Sequence, residues 1–151
     1  MSARAVSADA ADALRRLAAL LRAEDTPIAE HVVEPPAEPE LGLLAAGGER
    51  AAVAPADYAL VIESVREGYL LHHGDSRLLV GHDDDLALLA GDYLYALGLE
   101  RLAALGNPAA VLVLADLISD CSRLHAEGRE HEVPSLWERA ARSVGAGGAN
   151  G

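Results

Sequence analysis

The densest group of side chains able to do chemistry lies between His72 and Asp92. It comprises His72, His73, Asp75, His82, Asp83, Asp84, Asp85 and Asp92. Imidazoles and carboxylates are ligands for divalent metals, and three or four converging on one point would hold an ion. The candidate ligands are His72, His73, Asp75, Asp83, Asp84 and Asp92, and the ion would recruit a diphosphate or related anion. Their spacing matches no known metal signature, and consecutive residues on a helix point in different directions. The plainer reading is a helix start with acidic caps beside a polar loop of solvated histidines.

Other groups carry less chemistry. Asp92 falls within an apolar run, so it is expected to be paired, held by a neighbouring helix, or functional. Asp116 and Asp120 stand four apart, which a solvated helix face explains more simply than a carboxylate pair of divergent pKa. His125 and His131 flank Gly128 near a helix end, where a histidine suits the helix dipole. Cys121, the single cysteine, leaves no internal disulfide and reads as a small buried hydrophobe. No Ser/His/Asp order, phosphate-binding glycine loop or HExxH motif is evident.

The elements that must position these groups are helices. Of 151 residues 51% are hydrophobic, mostly Ala and Leu, with no Phe, one Trp and four Tyr, a composition that favours helix over strand. Twenty-four acidic residues oppose 12 basic ones, all Arg, giving a net charge of −12. That charge disfavours nucleic acid and anionic lipid as partners. The run from Leu86 to Leu105 is long enough to span a bilayer, but Asp92, Glu100 and Arg101 make stable membrane insertion costly. The N-terminus lacks a secretory signal, and a cytoplasmic location is expected.

The pattern predicts a first helix capped by Ser7 within 1–24, with Leu14, Leu17 and Leu21 on one stripe. Residues 25–55, rich in Pro and Glu, read as a linker that tethers this helix at a distance. A helical bundle is expected over 56–144, and a flexible Gly-rich tail over 145–151. Within the bundle a helix from about Ala56 to His72 ends at Gly74, and Arg77 to Val80 reads as a strand-like connector. Asp83 to Asp85 open a Leu-rich helix, apolar nearly all round and so expected at the centre. Its Gly91 and Gly98 would let another helix approach closely; with Leu94 and Leu102 they are the candidate interface. Gly106-Asn107-Pro108 marks a stop and restart, and Pro134 starts a short last helix. The fold class is all-α, a bundle of four to five helices.

The run Leu88-Leu89-Ala90-Gly91-Asp92-Tyr93-Leu94 resembles the trans-polyprenyl diphosphate synthases, which carry a Gly-Asp-[Tyr/Phe]-Leu segment on a central helix. Tyr69-Leu70-Leu71-His72 looks like the family's apolar run before its first aspartate-rich motif, and the resemblance extends from Tyr58 to Glu127. It implies a reduced isoprenoid-synthase-like bundle. The family's Asp-Asp-x-x-Asp, which bridges Mg²⁺ to the allylic diphosphate, would fall here on His73, Gly74 and Arg77. A second such motif and any Lys are missing, so a diphosphate leaving group would go unstabilised. The resemblance therefore implies a non-catalytic interaction protein or accessory subunit, acting by homodimerisation or by docking on a larger enzyme, with no cofactor. The alternative is binding of Mg²⁺ with a prenyl diphosphate at the His/Asp cluster.

Overall fold

The computed structural model describes residues 9–35 and 37–147. The fold is all-α, as the composition implies, with seven helical segments rather than four or five and no strands among the described residues. A helical turn at 9–11 leads into α1 (Ala13–Ala23), followed by α2 (Glu40–Ala46), α3 (Pro55–His73), α4 (Asp84–Ala104), α5 (Pro108–Ala126) and α6 (Val133–Ala146). Short 3₁₀ turns occupy Pro27–His31, Arg50–Val53 and Glu130–Glu132. The Ser7 cap lies outside the described residues.

Local chemistry sets several boundaries. Asp83 caps α4 by accepting the Leu86 N–H at 2.8 Å, and Asn107 caps α5 by accepting the Ala110 N–H at 3.1 Å. Gly106 takes φ +77 between α4 and α5, a conformation that favours glycine. The connector after α3 forms one antiparallel bridge, Val32 with Leu79, closed by Val33 N–H to Leu78 O at 2.8 Å and Val80 N–H to His31 O at 3.0 Å.

That bridge corrects the expectation for 25–55. The segment is no extended tether: its 3₁₀ turn buries Ile28, α2 buries Gly42 and Ala45, and Gly42 donates its N–H to Glu63 at 2.7 Å. α1 is likewise docked. Leu14, Leu17 and Leu21 are fully buried in a cluster with Leu60, Leu78 and Leu94. Each such side chain contributes about 2 kcal/mol by leaving water, which outweighs the freedom of a floating helix. The expected tail also starts later, because α6 runs through Ala146 and packs Gly145 against Ala45.

The central helix is α3, not the Leu-rich α4. From Tyr58 to Val65 every α3 residue is buried, as are Glu67, Gly68 and Tyr69. α4 is open on one side, where Leu88 and Leu89 are 54% and 58% exposed. The main core sets Val61, Ile62 and Val65 of α3 against Leu102, Leu114, Leu117 and Trp137.

Candidate functional site

The six candidate metal ligands are not brought to one point. His72 Nε2 lies 3.3 Å from Asp92 Oδ1 and 3.3 Å from the Leu88 carbonyl. His73 turns the other way and stacks on His125, with ring centroids 4.3 Å apart and planes at 13°. Asp75 and Asp84 are exposed, and Asp83 is engaged as the α4 cap. Among the described residues no three His, Cys, Asp or Glu side chains are grouped to hold a metal, so these residues do not fit a magnesium cage. Asp92 is not interior: its side chain is 73% exposed on the outer face of α4.

The four candidate interface residues are buried within the chain. Gly91, Leu94, Gly98 and Leu102 all lie on the inner side of α4, and Gly91 and Gly98 meet α3. A Cβ at Gly98 would stand 2.6 Å from Val65 Cγ2 and 3.1 Å from the Val61 carbonyl. Gly68 faces back, leaving room for Tyr95, and Ser64 donates its hydroxyl to the Leu94 carbonyl at 2.7 Å. The close helix neighbour that the glycines admit is α3 of the same chain.

The main buried polar cluster was not visible as one in the sequence. Glu63 and Glu67, four apart on α3, are wholly buried, and Arg77 from the connector folds over both. Its Nη1 lies 2.8 Å from Glu63 Oε1, and its Nε donates to Glu67 Oε1 at 2.9 Å. Glu67 also accepts the Ser76 hydroxyl and the Arg77 N–H. Burial raises the Glu63 pKa, against the lowering pull of Arg77 and the Gly42 N–H. Burial also pulls the Arg77 guanidinium down, but Glu63 and Glu67 outweigh it and leave it above its ordinary value. The i, i+4 acids were the available signal; what hid the cluster is that the neutralising Arg sits beyond the end of the helix.

Beside this cluster is an aromatic and histidine group. Tyr69 Oη and His125 Nε2 are 2.8 Å apart, and the Tyr69 ring packs near His73 and Trp137. Arg66 lies over the Tyr69 and Trp137 rings, 5.1 Å from each centroid. Burial lowers the Arg66 pKa, and the Arg77 charge adds to the effect. Burial pushes the Cys121 thiol up to about 11, so it is protonated and unreactive at neutral pH. Two cavities adjoin Arg66. One of about 450 Å³ also touches Leu44, Pro134 and Trp137; the other, about 250 Å³, also touches Glu63 and Arg77.

No helix among the described residues is long and apolar enough to cross a membrane. Comparison with known proteins gave no matching family model, curated protein or solved structure.

Proposed function

We propose that this chain is a non-catalytic helical interaction protein, an accessory subunit on a reduced isoprenoid-synthase-like bundle. It docks on a larger protein through the outer face of α4. The observation that carries this reading is the exposure of Leu88 and Leu89, two large apolar side chains side by side on a helix whose inner face is fully engaged. Leu88, Asp92 and Ala96 follow at four-residue spacing along that face, with Asp85 and Glu100 at its ends, all exposed. Two copies joined here would set acid against acid, so charge favours docking on a different protein, one with an apolar stripe flanked by Arg or Lys. The chemically capable side chains support the same reading. Glu63 and Glu67 are tied to Arg77, and Cys121 is buried and protonated.

The test is capture of the same identified partner by wild-type protein and by a Leu88→Gln/Leu89→Gln variant, with light scattering on both. The reading expects a monomer whose partner is lost in the variant. Equal capture by both proteins, or a homodimer that the substitutions dissolve, would refute docking through this face.

A further inference from the structure

We propose that the cleft at the junction of α2, α3 and α6 binds a small organic monocarboxylate with an apolar body. The two cavities beside Arg66 share Glu40, Leu41 and Arg66 in their walls, so they form one cleft that bends around the Arg66 side chain. At about 450 and 250 Å³ its lobes are of small-molecule size.

The donors are what mark the carboxylate. Arg77 directs Nε and Nη1 to Glu67 and Glu63, but its Nη2 is buried without a hydrogen-bond partner. Arg66 is held on the faces of Tyr69 and Trp137 and, among the described residues, makes no hydrogen bond or ion pair. Arg66 is half-buried, so its unpaired N–H groups stay accessible in the cleft that it lines, while Arg77 adds a second positive charge beside it and one buried donor left unmet at a cost. A carboxylate offers two oxygens to the Arg66 fork, with the Arg77 charge close by. Its negative charge would also offset the repulsion from Arg77 that helps to lower the Arg66 pKa.

The other walls choose the rest of the ligand. Leu41, Leu44, Pro134 and Trp137 provide an apolar lining for its body. Glu38, Glu40, Glu63 and Glu138 also line the cleft, Glu138 paired with Arg142 at 3.2 Å, and a ligand with more than one negative charge meets more of their repulsion than a monoanion, which selects against phosphate and diphosphate. This inference is independent of docking through α4, whose outer leucines do not line the cleft.

Trp137 is the single tryptophan of the chain and lines the cleft, so its fluorescence is a one-residue probe beside the site. The full-length protein is titrated with 3-phenylpropionate, with 3-phenylpropanol and with inorganic phosphate. The expected result is a saturable change with 3-phenylpropionate and binding at least about tenfold weaker for the alcohol, the scale of one charge-assisted hydrogen bond. Phosphate gives no response. Arg66→Gln, with the helical circular dichroism retained, weakens 3-phenylpropionate by a similar factor. Amide NMR shifts in the wild-type protein, read independently of any variant, fall on residues 40–44, 66 and 137. Absence of saturation, equal binding of acid and alcohol, tighter binding of phosphate, or amide shifts elsewhere would overturn the proposal. So would unchanged affinity in folded Arg66→Gln.

Discussion

Arg77 Nη1 and Glu63 Oε1 meet at 2.8 Å where the Glu63 side chain is fully buried, and the same guanidinium reaches Glu67 through Nε at 2.9 Å. Removing the cation would strand two carboxylates in the centre of the bundle. Arg77→Ala is therefore expected to cost about 3–5 kcal/mol, the usual penalty for an uncompensated buried charge. Urea unfolding followed by circular dichroism measures it. A loss below about 1 kcal/mol, the scale of a surface pair, would show that the carboxylates do not depend on Arg77.

The same residues show where the sequence stops being legible. Asp83 and Asn107 announce their helix starts because a cap bonds within its own first turn, and the strand-like connector was visible in Arg77 to Val80. Nothing local marks Glu63 and Glu67 for burial, because charge on a helix is ordinarily exposed. Their burial depends on a side chain outside the helix and on the Gly42 N–H from a stretch whose prolines read as a linker. Conversely, uniform apolarity pointed to α4 as the centre, whereas Leu88 and Leu89 remain at its surface. Of the predicted metal group only His72 and Asp92 meet; His73 instead finds His125, a pairing between distant helices that no local spacing encodes.

His73 supplies a pH dependence of known sign. Burial, then the neighbouring His125 and His72, lower its pKa from the ordinary 6.5. The unfolded chain thus takes up its proton first as pH falls. His73 contributes no pH-linked loss above 6.5; stability declines as pH drops from 6.5 through the lowered folded value and levels off below it. His73→Gln should flatten that part of the stability profile relative to wild type. Parallel profiles for the two proteins between pH 7 and 5 would contradict the assignment.

Cys121 is 1% exposed, and its thiol is pushed up to about 11, chiefly by burial. Alkylation requires a thiolate that reagent can reach, so iodoacetamide at pH 8 should modify the native protein far more slowly than the urea-unfolded chain. With one cysteine in the chain, mass spectrometry reads the rate directly. Native and unfolded rates within about threefold of one another would mean that the α5 core opens readily, on the scale of local fluctuation.

Gly98 and Val65 test the close packing of α3 and α4. In an open helix, Gly→Ala gains about 1 kcal/mol of helix propensity. At Gly98 the new methyl would stand 2.6 Å from Val65 Cγ2 and 3.1 Å from the Val61 carbonyl, and the backbone oxygen has little room to yield. Overpacking of this kind costs about 1–3 kcal/mol and should outweigh the propensity gain. Gly98→Ala is thus expected to destabilise, and Val65→Ala, which removes the nearer obstacle, to rescue part of the loss. The double variant should then be more stable than the sum of the single effects by about 0.5 kcal/mol or more. Additive effects in urea unfolding, or a stabilising Gly98→Ala, would show that the two helices do not meet at this glycine.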